Sequence, residues 1–355
     1  FDQTMAGIKF SFKNKNLNES EILNLLSSSN SSTRKHAAKS FSSGLKSNIN
    51  IFSIITNTLS KDLDIDREIR GFKFSESFRH LNNQVEKKDV DCLTETVIEN
   101  YKTLSHRYYR YKAKKFNVSR LEYWDRNAPY PNQKEIKINW NEAKKIVLQA
   151  YSRFDTRVSD IANEFFEKSW IDAKVVKGKT SGAFSHPTVP SSHPFILLNF
   201  QNKLRDVMTL AHELGHGVHQ YLANKQGYLL SDTPLTIAET ASVFGEMLTF
   251  QSILKNCKTE TDKKNILRSK IEDMLNTVVR QISFFSFERL LHEQRISGEL
   301  TVDQINNIWM ETQSKSLGKA IKLNDDYKYL WSYIPHFIHS PFYVYAYAFG
   351  DCLVN

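Results

Sequence analysis

The stretch LRDVMTLAHELGHGVHQY, residues 204–221, decides how this chain is read. Val207, Met208, Leu210, Ala211, Leu214 and Val218 recur at helical spacing over much of the circumference, which predicts a buried helix. Inside it stands His212-Glu213-Leu214-Gly215-His216. At 3.6 residues per turn the two histidines lie about 40° apart around the axis and one turn apart along it, so both imidazoles can reach one ion. Glu213, about 100° from His212, falls beside that ion, where a carboxylate can take a proton from a water the metal holds. Two surface histidines would need no such arrangement. A polar His-Glu-His set on a buried helix is costly unless something satisfies it, and Gly215 and Gly217 each cost about 1 kcal/mol relative to Ala. The pair of glycines predicts that another backbone comes close.

A third ligand must come from elsewhere in the chain. The metzincin pattern would place Gly at 219 and His at 222, but the sequence has His219 and Leu222. Three ligands on one helical face would hardly close a tetrahedron, which gives His219 a role beside the ligands or in packing. Beyond the break at Asp232-Thr233-Pro234 a second helix is predicted from Thr236 to Phe250, carrying Glu239 and, seven residues on, Glu246. Glu239 is the preferred ligand and Glu246, on the same face, the competing one. Thr236-x-x-Glu239 also fits a capping box, in which Glu239 would only return to the backbone of Thr236.

Composition narrows the rest. The 355 residues are 40% hydrophobic and 25% charged, with 12 Gly and 8 Pro, which excludes collagen-like and wholly disordered chains. No apolar run approaches the roughly 18 residues of a membrane span, so no membrane partner is expected. Cys92, Cys257 and Cys352 are odd in number and far apart, which predicts a reducing, cytoplasmic setting rather than a disulfide framework. No signal peptide precedes Phe1, and the chain is expected to be a piece of a longer protein. With 48 Lys+Arg against 39 Asp+Glu the net charge is +9. Between Lys102 and Arg120 seven cations and no acid interleave with Tyr108, Tyr109 and Tyr111, the one motif for a nucleic-acid partner. The plainer reading has solvated cations over tyrosines that pack inward, and no nucleic acid is expected.

Helical patterns run from Asn18 to about Lys115 and from about Asn141 to Trp170, with a break at Asn127-Ala-Pro-Tyr-Pro131. That break divides a helical N-terminal region, 1–130, from a catalytic region, 131–355. Val175-Val176, a turn at Gly178, Ser181-Gly-Ala-Phe184 and, after a Pro-rich loop to Pro194, Phe195–Phe200 predict a small antiparallel ribbon before the long helix. Later, helical spacing returns over Asp262–Arg295 and Thr301–Gln313, with Thr301-x-x-Gln304 as a capping box. Ser340-Pro341 predicts a helix start, which would put Tyr343 and Tyr347 on one face and turn Tyr345 away. His292-Glu293 resembles the start of a second motif, but Ile296 occupies the place of its second histidine.

These residues resemble a family. TLAHELGHGVHQ (209–220) followed by IAETAS (237–242) is similar to the oligoendopeptidase F branch of the thimet-oligopeptidase-like zinc peptidases, as are KGKTSGAF (177–184), ILLNF (196–200), IPHF (334–337) and FYVYAY (342–347). The first 170 residues match only in helical character. The resemblance implies a mainly α fold, a helical zincin domain of gluzincin type with the ribbon beside the HExxH helix. It implies one zinc per chain on His212, His216 and Glu239, with Glu213 as base and acid. It also implies cleavage of short oligopeptides by an enzyme with more helix at both ends. The oxyanion formed in such a reaction needs a donor, for which His336, Tyr343 and Tyr347 are the candidates. Gly182 and Ala183 would let a peptide approach the ribbon edge. The rival readings are a basic helical nucleic-acid-binding protein with an incidental HExxH and a peptidase remnant without activity. Oligomeric state is not legible.

Overall fold

The computed structural model describes residues 1–131, 136–176, 179 and 182–355. The chain is mainly α-helical and divides into two compact units, Phe1–Gln133 with Met274–Tyr345, and Lys134–Asp273 with Ala346–Asn355. Among the described residues no helix is long and apolar enough to cross a membrane. The turn expected at Gly178 lies outside the described residues, as do four of the five residues from 177 to 181.

The first unit is built on helices whose starts are written locally. Thr301 accepts the N–H of Gln304 at 3.2 Å while the Gln304 side chain takes the N–H of Thr301 at 2.8 Å, the reciprocal cap expected from sequence. Its core is aromatic: Trp309, 1% exposed, meets the rings of Phe284 and Phe287, each at 5.3 Å between centroids. A short hairpin, Phe10–Phe12 with Lys15–Leu17, precedes the first predicted helix. The basic stretch lies largely on the helix Ser105–Lys115. There Tyr108 and Tyr109 are buried, the Tyr108 hydroxyl meets that of Tyr130 at 2.7 Å, and buried Lys112 donates to the carbonyl of Arg126. Two of the three tyrosines thus pack inward and offer no face for a base.

The second unit holds the HExxH helix. Asn139 caps α1 (Trp140–Phe154) with a reciprocal Glu142 bond, and Asp155, in extended conformation, ends it and caps α2 (Thr156–Glu167). The single helical stretch expected from 141 to 170 is therefore two helices. Three short strands follow, β1 (Ile171–Asp172), β2 (Phe184–His186) and β3 (Phe195–Leu197), in the order β1-β3-β2. β2 pairs antiparallel with β3, and β1 adds a parallel strand to β3's other side. The expected ribbon is present, but Val175-Val176 is not one of its strands. Both valines are about half exposed and lack the neighbour that Ile171–Asp172 has in Ile196 and Leu197.

The HExxH helix, α3, spans Leu204–Ala223, and α4 spans Leu235–Lys255. Val207, Leu210, Ala211 and Leu214 are fully buried with Val147, Tyr151 and Phe165. Removing a ring such as that of Phe165 from so closed a core costs about 3–5 kcal/mol. Gly215 meets the second helix as expected: a Cβ there would stand 2.7 Å from the carbonyl oxygen of Ala241 and 2.8 Å from Cα of Ser242. Gly217 instead makes room for the Phe165 ring and Ile196. Gly245 returns the contact from α4, against the carbonyl of Ala211 and the Tyr151 hydroxyl. The two helices are thus pressed together by a glycine on each.

Candidate metal centre

One turn apart on α3, the His212 and His216 rings lie 4.8 Å apart with planes at 82°. The close approach of α4 brings the Oε2 of Glu239 to 3.6 Å from Nε2 of His212 and 3.8 Å from Nε2 of His216. All three donor atoms lie within 4.8 Å of one another, the one such group among the described residues. Two ligands on a tetrahedral zinc stand roughly 3.4 Å apart, given bonds of about 2.0–2.1 Å, so the set fits that ion in spacing and donor chemistry. A second observation points the same way. Glu213 is 5% exposed, and its Oε2 has no hydrogen-bond partner among the described residues. An orphaned carboxylate oxygen beside two imidazoles and a second carboxylate is costly unless a cation or a polar ligand completes the site.

Each side chain of the group is held from behind. Glu246, one of the two carboxylates considered from sequence, has its Oε1 2.5 Å from Nδ1 of His212, which leaves Nε2 facing Glu239. The Ala238 backbone hydrogen-bonds His216. Ser242 donates to Oε2 of Glu239 at 3.2 Å. Helix α4 begins at Leu235 with Pro234 as its N-cap residue, so Thr236 lies inside the helix and the capping-box geometry is not adopted. Ser242 and Tyr151, whose hydroxyl donates to the carbonyl of Ala211 at 2.6 Å, were not read as parts of the site; the partner of Tyr151 lies 60 residues away, whereas Ser242 reaches Glu239 one turn back on the same helix, a spacing the sequence does contain.

Burial sets the protonation of the site. It pushes the Glu213 carboxyl up to about 7, with the charges of Glu239 and Glu246 adding to the effect and His212 opposing it. Burial pushes His216 down to about 3, helped by His212 and His219. His212 is subject to the same desolvation, but the hydrogen bond and charge of Glu246, with Glu239 and Glu213, hold it at about 9. The carboxylates of Glu246, Glu239 and Glu213 thus favour a cation at this place in the pocket, while burial keeps His216 neutral.

His219 is half-buried and stands outside the ligand group. His292 lies in the first unit, buried 4.6 Å from the Phe342 ring, and joins no metal group. The C-terminal aromatics differ from expectation. Ser340-Pro341 opens a turn, in which Tyr343 donates its N–H to the carbonyl of Ser340, and the helix α5 starts only at Tyr345 and runs to Val354. Phe342 is left-handed, with φ +58°, and its N–H donates to buried Glu288 at 2.7 Å, a bond from another element that interrupts helical pairing. Tyr343 therefore precedes the helix that carries Tyr347, and the two share no helical face. Within the first unit His336 stacks on Tyr343, centroids 5.3 Å apart, and Tyr345 is fully buried against His80 and Asn83. Tyr347 is half-buried in the second unit. Gly182 is left-handed at φ +89°, and its carbonyl accepts from Asn199 at 3.1 Å, while Ala183 packs on the core beneath the ribbon.

A pair of histidines one turn apart, a carboxylate from the next helix and an adjacent buried glutamate make this a helical protein of the HExxH metallopeptidase type. Residues 24–350 match the profile of Peptidase family M3, and the chain belongs to that family. An oligoendopeptidase F homolog of Lactococcus lactis subsp. lactis is 31% identical over 328 residues, 92% of this chain and 54% of its own length. Oligopeptidase PepF of Bacillus subtilis is 30% identical over 356 residues, 97% of this chain and 52% of its own. The crystal structure of oligoendopeptidase-F from Enterococcus faecium shares the fold with a TM-score of 0.71 at 21% identity, covering 98% of this chain and 56% of its own. The chain spans about half the length of the curated relatives it matches.

Proposed function

We propose that this chain carries the reaction centre of a zinc-dependent endopeptidase that hydrolyses short oligopeptides in the cytoplasm. The observation that carries the reading is the convergence of His212, His216 and Glu239 within 4.8 Å, with the unpartnered carboxylate of Glu213 alongside. His212, His216 and Glu239 would hold one zinc ion per chain, which when bound supplies Lewis-acid polarisation and makes water acidic enough to react near neutral pH. Glu213, on the helix between the two histidines, accepts the proton of the attacking water and returns it to the departing amine. His336, Tyr343 and Tyr347 remain the residues proposed to donate to the developing oxyanion. An extended peptide is proposed to lie along the ribbon edge at Gly182 and Ala183, held by backbone bonds that are indifferent to side chains. Cys92, Cys257 and Cys352 are all free thiols, which supports a reducing compartment.

The test is metal analysis of the purified chain together with a quenched fluorescent peptide assay. One zinc per chain and hydrolysis abolished by a chelator and restored by zinc are expected. Zinc without hydrolysis would mark a peptidase remnant, and no zinc at all would overturn the reading.

A further inference from the structure

Three residues at intervals of four run along α3 to the residue that caps its C-terminal end: His216, Gln220 and Asn224. At about 40° of drift per step they form one stripe along the helix. The first belongs to the metal group, and the other two hold the ribbon. The Gln220 amide is bonded to Ser185 in both directions: the Ser185 hydroxyl donates to Oε1 at 2.7 Å, and Nε2 donates to the Ser185 carbonyl at 3.2 Å. Asn224 donates to the carbonyl of Ser192 at 3.1 Å, in the connection between β2 and β3.

The register of the sheet says which side of β2 this reaches. The N–H groups of Ile196 and Leu198 donate to Trp170 and Asp172, towards β1. By alternation Phe195 and Leu197 bond towards β2, where they face His186 and Phe184. The backbone N–H and carbonyl of Ser185 therefore point away from the sheet, to the open edge, and continuing one step back so do those of Ala183. Gln220 occupies the Ser185 carbonyl. The next outward residue, Pro187, has no N–H to offer. The open edge is thus closed at one end by the helix that carries the metal ligands.

We propose that Gln220 is a positioning residue: through Ser185 it fixes the edge strand on the metal-site helix and ends the pairing edge there, leaving Ala183 and the Ser185 N–H to receive an extended peptide. The inference rests on the proposed peptide-binding role of that edge. It ties the register of a bound peptide to His216 through a single turn of helix. Neither bond carries out chemistry, so their loss changes how peptide is held and leaves the reacting groups intact.

Gln220→Met keeps length and removes both bonds, and Ser185→Ala removes the hydroxyl. The expected result is faster hydrogen exchange over 184–197 in both variants and KM for a quenched peptide raised about tenfold, with kcat within about twofold. Zinc content should be unchanged, and the double variant should be no worse than Gln220→Met alone. Faster exchange with an unaltered KM would overturn the proposal, because the tether would then not serve the peptide. Loss of zinc with a fall in kcat would also overturn it, by making Gln220 a support of the metal group. If the unaltered chain hydrolyses no peptide, the proposed function fails and this inference with it, a result distinct from either variant outcome.

Discussion

Nδ1 of His212 lies 2.5 Å from Oε1 of Glu246, on the side of the imidazole opposite the nitrogen that faces Glu239. Glu239 and Glu246 are seven residues apart on α4, two turns along one face, so a single helix offers one carboxylate to each side of the same ring. A carboxylate behind an imidazole fixes its orientation and tautomer and makes the other nitrogen a better donor. Glu246→Gln keeps a hydrogen-bond acceptor and removes the charge. Zinc affinity should fall about 10–100-fold, measured by competition with a chromophoric chelator. Glu239→Gln should cost more, since it removes a proposed ligand. Equal effects of the two substitutions would remove the distinction drawn here between ligand and orienting residue.

The spacing of α3 and α4 makes a second prediction. A Cβ at Gly245 would press on the Tyr151 hydroxyl and stand 2.7 Å from the carbonyl of Ala211, both fixed in the core. Gly245→Ala should therefore destabilise the chain by roughly 1–3 kcal/mol and widen the gap that sets the Glu239 to histidine distances. Gly7→Ala, where nothing stands within 4 Å, is the comparison. Thermal unfolding and zinc content of the two variants check this, and a Gly245→Ala chain with native Tm and full zinc would contradict it.

The contrast between these glycines and the C-terminal tyrosines explains what was legible in the sequence. His212, Glu213, His216 and the need for a close neighbour at Gly215 followed from helical periodicity and the cost of burying polar groups, both local properties. The cap at Thr301 is local too, and so is the one at Asn139, which was present in the sequence but not read from it. Glu239 was preferred over Glu246 as third ligand with the help of the family resemblance, because both lie on one helical face and the spacing alone does not say which ring nitrogen each meets. Phe342 shows the limit most clearly. Nothing in Ser340-Pro341-Phe342 announces a left-handed residue; the bond that holds it comes from Glu288, 54 residues earlier. The parallel strand Ile171–Asp172 was missed for the same reason, since two residues carry no period and its partner strand, Phe195–Leu197, lies more than twenty residues on.

Glu288 also gives a pH dependence. It is 2% exposed, its Oε2 has no partner among the described residues, and burial pushes its carboxyl up to about 8, against the opposing Phe342 N–H and Arg79 charge. The folded chain then keeps a proton that the unfolded chain releases near its ordinary value of 4.5. The stability tied to this group is fully present below about pH 4.5 and is lost as pH rises through about 8. Between those limits the slope approaches about 1.4 kcal/mol per pH unit. Glu288→Gln removes the titration. Denaturant unfolding at pH 5 and pH 9 should show the unaltered chain losing several kcal/mol relative to the variant. Parallel pH profiles of the two chains would refute the assignment.

Glu213 is the sharpest test of the proposed chemistry, because its side chain can be changed with little change in shape. Its carboxylate is buried beside the ligand group without belonging to it, and one oxygen is unpartnered. Glu213→Gln replaces a proton acceptor by an amide of the same length. Peptide hydrolysis should fall by about 10²–10⁴-fold while zinc content stays at that of the unaltered chain, because a general base contributes on that scale and is not a ligand. Glu213→Asp keeps the charge but withdraws it by one methylene, so it should also lose most activity, through distance rather than basicity. The buried neighbours separate these outcomes from a folding defect. With its oxygen already unpartnered, neutralising Glu213 should leave Tm unchanged or raised. A Glu213→Gln chain that retains zinc, melts no lower than the unaltered chain and still hydrolyses peptide at its rate would exclude this residue as the base.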